Sequence, residues 1–490
     1  MRRTFIVFSF LSAMLFACEG KSSDEGGVIE PVMPPDSIAD NVALARRNLV
    51  RAIAMTDAAM TNYFSDAGMA MSRYYNPYTG VRSTEIGSVW HYTSSIETLN
   101  AVMHGLKALR DGGDASLYNQ HFDRYKAMMR SLFDNAAYYR GQFTLTSYTQ
   151  TKEWWCYGVN RANAKNSADV GGGNMRNNVY DDQMWLIREL IEAYRLTGEA
   201  DYLSEAEYLT AYVLDGWDCT LNISGNENGG IPWGPGYVSM HSCSNGPIIS
   251  PLVWLHELYK DKPDQISYLR IATDGSRVSV TAAKKDYYLA FAQKVYAYMR
   301  ANLYNSSSGC YIDNLNSPVS GGGNPEYETV GGVNYRKHTP LSSRNGPDIS
   351  YNSGTMLSGA ADLYRATNDA NYHSDASSLA VMAFTRFARP MEYRPDMVSY
   401  ATDGFNIWFN GVLMRGWADV HSVDGHVPDY LGTFQRNLDF GWYNFLYKDM
   451  LPRNLQLGWD LDNAYNNMES MFTFAMAAEY AVLAKFQLER

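Results

Sequence analysis

The 490-residue chain reads as all-α, with six helical hairpins closed into a double ring. Three observations predict this. About twelve segments carry apolar residues at helical spacing. Short polar turns alternate along the chain with long loops rich in Gly, Asn, Trp and Tyr. No linker interrupts that pattern after residue 40, so a length that could hold two or three domains reads as one.

In chain order, Met1-Arg2-Arg3 precedes an apolar run from Phe5 to Ala17 that is too short for a permanent membrane span. The run ends in Leu15-Phe16-Ala17-Cys18, which looks like a bacterial lipobox. Residues 1–17 then form a signal peptide, and Cys18 carries the lipid that would tether the protein to a bacterial membrane. Residues 18–40 are polar, acidic and rich in Gly and Pro, the composition of a flexible tether.

The folded domain spans 41–490. Helical segments are expected near 41–63, 89–110, 117–140, 178–197, 201–216, 245–260, 285–303, 352–367, 371–388, 404–420, 430–449 and 465–487. Short turns, TGEAD and TNDAN, join 178–197 to 201–216 and 352–367 to 371–388. Short turns on one rim and long loops on the other is the alternation that closed hairpins produce, and the long-loop rim is the functional one. The helices that follow long loops should form the inner ring. They begin near Trp90, Asp181, Asn245, Asn352, Phe405 and Tyr465.

Composition excludes several classes. The net charge is −11, which argues against nucleic acid and fits an uncharged substrate. The nine histidines contain no HExxH motif and no tight cluster, and the five cysteines contain no CxxC, so no metal site is expected. No Gly-rich phosphate loop and no GxSxG elbow occurs, and no cofactor is implied. Export permits disulfides among Cys156, Cys219, Cys243 and Cys310, with the pairing left open.

The chemistry points to Asp181 and Asp182. After them, Met184, Ile187, Ile191 and Tyr194 make one stripe, and Leu186, Leu190 and Ala193 fill its flank. A helix apolar nearly all round is buried. Two carboxylates therefore stand at the start of a buried helix, where they repel and one keeps its proton. One charged and one protonated carboxyl is what glycoside hydrolysis requires. Adjacent Cα atoms lie about 3.8 Å apart. Splayed side chains can reach the roughly 5–5.5 Å of a retaining pair more readily than the wider spacing of an inverting one. The competing reading is a capped helix, with Asn178 as cap and Asp181 three residues on. Trp154, Trp155, Tyr180, Trp233, Tyr237, Tyr335, Tyr351 and Trp408 all fall near the long-loop rim, and aromatics among Asn and Asp suit a sugar cleft.

The block Tyr180-Asp181-Asp182-x-x-Trp185 runs into Ala193-Tyr194-x-x-Thr197-Gly198. It is followed by Gly229-Gly230-Ile231-Pro232-Trp233, Ser244-Asn245-Gly246-Pro247, Gly309-Cys310-Tyr311-Ile312-Asp313 and Tyr351-Asn352-Ser353-Gly354-Thr355. Five motifs in this order resemble glycoside hydrolase family 76, the α-1,6-mannanases, over roughly residues 85–420. Pro232 departs from the pattern, and the insertions at 262–284 and 314–350 are long. The resemblance implies an (α/α)6 barrel and retaining endo-hydrolysis of α-1,6-mannan. Asp181 would be the nucleophile and Asp182 the acid/base. Trp90, Tyr180, Trp233, Asn245, Asp313, Tyr351 and Asn352 are expected to contact sugar. The protein is expected to act as a monomer on an α-mannan polysaccharide or oligosaccharide.

Two rivals stand beside this reading. A non-catalytic glycan-binding outer-membrane lipoprotein would share the anchor and the aromatics, but it needs no paired aspartates. Another enzyme on the same barrel would need His pairs for epimerisation, or Arg, Lys or His near the acid for elimination.

Overall fold

The computed structural model describes residues 38–490 apart from 66, 317–322, 342 and 393. The signal peptide, Cys18 and most of the expected tether lie outside the described residues. The helices are α1 (Ile38–Tyr63), α2 (Val89–Asp111), α3 (Ser116–Ala136), a single turn α4 (Gly172–Met175), α5 (Tyr180–Thr197), α6 (Ala200–Asp215), α7 (Ile249–Tyr259), α8 (Lys284–Asn302), α9 (Ser350–Thr367), α10 (Ala370–Phe387), α11 (Asn406–His421), α12 (Leu431–Phe445) and α13 (Ser470–Glu489).

Helices α2, α5, α7, α9, α11 and α13 pack each on the next, and α13 closes on α2. This is the inner ring, made of the helices that follow long loops. The outer helices α3, α6, α8, α10 and α12 each back the preceding inner helix, while α1 backs α13. The fold is an (α/α)6 barrel. Burial follows the layers. Every residue of α13 from Ser470 to Ala481 is buried, as a helix enclosed on all sides must be. In outer α3 only Leu117, Phe122, Tyr125, Met129, Leu132 and Ala136 are buried, one stripe at helical spacing.

The two short turns share one construction. Gly198 ends α5 with φ 72, and Asn368 ends α9 with φ 57, the left-handed conformation that Gly and Asn tolerate best. Their N–H groups return to Tyr194 O and Tyr364 O at 2.8 and 2.7 Å. Thr197 and Thr367 hydroxyls then accept from Glu199 N and Asp369 N, each at 3.2 Å.

Between α9 and α11 the backbones nearly touch. A Cβ on Gly354 would lie 2.6 Å from Val412 O, and one on Gly416 2.6 Å from Gly354 O. Only glycines allow this approach, and it brings Tyr351 of α9 against Trp408 of α11.

The long loops hold strand pairs that helical periodicity does not reveal. Arg140–Thr146 pairs with Thr151–Tyr157, Gln265–Ile271 with Arg277–Ala283, Tyr327–Val330 with Val333–Arg336, and Cys310–Asn316 with Ser343–Asp348. The first pair follows α3, which stops at Ala136, four residues short of the expected end; α12 stops at Phe445, also four residues short, and α13 begins at Ser470 rather than near 465. Cys156, Cys219, Cys243 and Cys310 are all free thiols, so the disulfides that export would permit are not formed among them.

Candidate active site

Asp181 and Asp182 occupy the first turn of α5, and the residue that caps the helix is Val179, without a side-chain bond. Asn178 does not cap. It is fully buried, donates to Val170 O at 2.6 Å and accepts from Tyr212 OH at 2.6 Å. The helix start is instead tied to the neighbouring loop by Tyr180 N–H, which donates to Trp233 O at 2.8 Å.

The two carboxyls differ in surroundings. Asp181 is half-buried, and its Oδ1 is sealed from solvent without a hydrogen-bond partner. Burial pushes its pKa up to about 6, opposed by the Cys243 thiol beside it, by His241, and by the N–H groups of the first turn. Asp182 is 8% exposed. Burial first, and the Asp181 charge second, push it well above the usual carboxylate range, with nothing opposing them. The pair shares its protons, and the groups that favour a negative charge all stand on the Asp181 side.

Aromatic rings form the floor. Trp185, one turn deeper in α5, donates its Nε1–H to Tyr351 OH at 2.8 Å. Its ring lies 4.8 Å from Trp408, which is 5.4 Å from Tyr351 and 5.2 Å from Trp90. Trp90 continues to Phe405 at 4.6 Å. Below the floor, Trp408 Nε1 donates to Glu97 Oε2 at 2.9 Å, Glu97 pairs with Arg415, and Arg415 stands 5.3 Å from the Trp185 ring. A cavity of about 580 Å³ opens on that basal side, lined by ion-paired residues including Glu97, Arg188, Glu189, Asp362 and Arg415. It does not include Asp181 or Asp182.

A side wall comes from the loop between α6 and α7. Trp233 lies 4.7 Å from Tyr237 and 4.9 Å from His241. His241 Nδ1 is 3.4 Å from Asp313 Oδ1, and its Nε2 is 3.1 Å from Ser239 Oγ.

Of the residues expected to meet sugar, Trp233, Asp313 and Tyr351 lie beside the pair or its neighbours His241 and Cys243, and Trp90 joins them only through Trp408. Three do not. Tyr180 is 1% exposed, and its ring fills the space left by the missing Cβ of Gly216. Asn245 is fully buried, accepting from Ile231 N and donating to Ile231 O and His241 O at 2.8–2.9 Å. Asn352 is 1% exposed and donates to Ile312 O at 3.0 Å. These two amides hold the loops that carry Trp233, His241 and Asp313, since a buried amide must satisfy its own hydrogen bonds. Trp154, on the rim in sequence, is packed against Tyr208 and Tyr212. Sequence reasoning missed His241 and Cys243 as neighbours of Asp181. The available signal was a lone His between Trp233 and the Ser244-Asn245 motif.

Two adjacent carboxyls at the head of an inner helix, on the long-loop rim of an (α/α)6 barrel, make a site of the kind that glycoside hydrolysis uses. The sequence model of Glycosyl hydrolase family 76 matches residues 95–274 and 275–441. The chain belongs to that family. Solved structures agree in fold. A family 76 mannosidase from Bacteroides thetaiotaomicron is 20% identical, with 90% of this chain and 98% of that one covered and a TM-score of 0.64. A family 76 α-mannanase from the same species is 16% identical over 91% and 96%, with a TM-score of 0.59. An α-1,6-mannanase from Salegentibacter sp. HEL1_6 was solved with α-1,6-mannotriose as an inactive variant with two adjacent aspartates changed to asparagine. It is 17% identical over 90% and 99%, with a TM-score of 0.55. No sequence among the curated proteins matches the chain.

Proposed function

We propose that the protein is a retaining endo-α-1,6-mannanase in which Asp181 is the nucleophile and Asp182 the acid/base. The observation that carries this is the difference in the surroundings of the two carboxyls. Asp181 has a thiol, an imidazole and helix N–H groups favouring its charge, whereas Asp182 has only burial and a neighbouring anion favouring its proton. The Salegentibacter enzyme, inactive with its adjacent aspartates exchanged and bound to α-1,6-mannotriose, supports both the pair and the substrate class.

In the first step Asp182 gives its proton to the glycosidic oxygen while Asp181 attacks C1 from the β face. The leaving chain departs as an alcohol, and a β-mannosyl ester forms on Asp181. Asp182, now ionised, takes a proton from water, which attacks C1 from the α face and frees Asp181. Mannan is neutral, and the −11 net charge places no obstacle before it.

The active form needs Asp181 ionised and Asp182 protonated. The rate with α-1,6-mannan should therefore climb as pH rises through about 6, where Asp181 ionises, and fall again where Asp182 loses its proton at higher pH. A kcat/KM profile flat from pH 4 to 9 would contradict the assignment.

Anchoring through Cys18 is part of the same proposal, resting on the lipobox spelled by Leu15 to Cys18. Cys18→Ala should move the protein from the membrane fraction to the soluble one. Equal membrane recovery of wild type and variant would refute a lipid anchor.

A further inference from the structure

The connection from α8 to α9 sends residues 323–338 across two rim loops that flank Asp181. Arg176, just ahead of α5, donates Nη2 to Gly323 O at 3.1 Å and to Asn324 Oδ1 at 3.2 Å, and Nε to Gly236 O at 3.1 Å. The hairpin Tyr327–Val330/Val333–Arg336 follows. Arg336, 4% exposed, ends it. Its N–H donates to Ser147 O at 2.9 Å, its Nη1 to Pro235 O at 2.9 Å, and its Nη2 to Tyr237 O. Two residues on, His338 Nδ1 lies 2.7 Å from the fully buried carboxylate of Asp218. Arg277, from the tip of a different hairpin, covers the Tyr335 ring at 4.0 Å.

Burying a guanidinium is costly unless its hydrogen bonds are supplied locally. Among the described residues no carboxylate lies within ion-pair distance of Arg336. Its side-chain bonds go to two carbonyls of one short loop, Pro235 and Tyr237, between Trp233 and His241. That loop bears on the chemistry. Tyr237 packs 4.7 Å from Trp233, and its hydroxyl feels the Asp181 charge. Trp233 O in turn accepts from Tyr180 N at the start of the helix that carries Asp181.

We propose that Arg336 is a positioning residue. It clamps the Pro235–Tyr237 loop so that Trp233 and Tyr237 stand as a fixed wall on the Asp181 side of the cleft, and the 323–338 segment thereby sets how tightly the glycan chain is gripped. The grip on glycan rests on the mannanase reading; the clamp on the loop does not.

The test has two readouts on the full chain. Amide hydrogen exchange should rise about tenfold or more at Gly236 and Tyr237 in Arg336→Ala, because a loop without its clamp opens locally. Arg336→Lys, able to reach one carbonyl but not two, should fall between, and it carries the test if Arg336→Ala fails to fold. With α-1,6-mannan, KM should rise roughly tenfold with kcat less affected, since the loss is of substrate placement. Tyr237→Ala should lose a similar amount, and Arg336→Ala/Tyr237→Ala should be no worse than either single change, because one residue acts through the other. Unchanged exchange at 234–241 in both variants, or losses that multiply in the double variant, would overturn the clamp. If the wild type fails to hydrolyse α-1,6-mannan, the mannanase reading falls, and the exchange measurement still decides whether Arg336 holds the loop.

Discussion

Asp182→Ala should lose about 10²–10⁴-fold in kcat/KM on α-1,6-mannan, the usual worth of a positioned general acid. On a mannosyl substrate with an activated aryl leaving group it should lose much less in the first step, since that group departs without a proton. Its second step would then lag, and the β-mannosyl ester on Asp181 would accumulate. Added azide needs no base and would attack that ester at C1 from the α face, speeding turnover and giving an α-mannosyl azide. Asp181→Ala should fall further, by about 10⁴-fold or more, on both substrates, because no ester can form. Azide in the space left by that carboxylate would enter from the β face, so its product would be the β-azide. The anomeric configuration of the azide product, read by NMR, thus assigns each residue. The reverse pattern would exchange the two roles. Near-normal mannan hydrolysis by both variants would reduce the pair to a helix start.

The barrel and the pair were legible for the same reason. Helices of an inner ring are enclosed on all sides, so α13 is apolar from Ser470 to Ala481 with few interruptions. Two carboxylates at the head of another such helix, α5, stand out against that background. The turns after Thr197 and Thr367 were legible because a left-handed residue there demands Gly or Asn. Direction was not legible. Asn245 and Asn352 carry the same polar signal whether they face a sugar or a carbonyl, and only the fold reveals that both face backbone. Tyr180 turned inward because Gly216 leaves room for its ring, a relation between residues 36 positions apart that no local pattern encodes. The hairpins did leave a trace. Gly331-Gly332 between Val330 and Val333, with φ of 60 and 84, is the two-residue turn that a twisted hairpin favours. A reading led by helical periodicity passes over it.

The largest effect on stability should come from Glu97, beneath the floor of the cleft. It is 5% exposed, and both its oxygens are engaged, one by Arg415 and one by Trp408 Nε1 at 2.9 Å. Removing one partner of a buried ion pair strands the other charge, which costs about 3–5 kcal/mol. Glu97→Ala also leaves the indole N–H without its acceptor, a further loss on the order of 1–3 kcal/mol. One neighbour can soften the first effect. Glu479 is also buried, and burial raises its pKa to about 8, so at pH 7 it is mostly protonated in the wild type. The Glu97 charge is one of the causes that raise it, and Arg415 lowers it. Deleting Glu97 removes the first influence and leaves the second, so Glu479 should ionise at lower pH and partner Arg415. The sign follows: the cost of Glu97→Ala is largest at acidic pH, where Glu479 keeps its proton, and shrinks as pH rises through the new Glu479 value. Denaturant unfolding at pH 5 and pH 8 measures this directly. A cost below about 1 kcal/mol at pH 5 would show that Arg415 does not depend on Glu97. Because Trp408 and Trp185 lose their support together, the fraction that remains folded should also bind mannan less well. In a doubly substituted Glu97→Ala/Glu479→Ala protein, the relief at pH 8 should vanish.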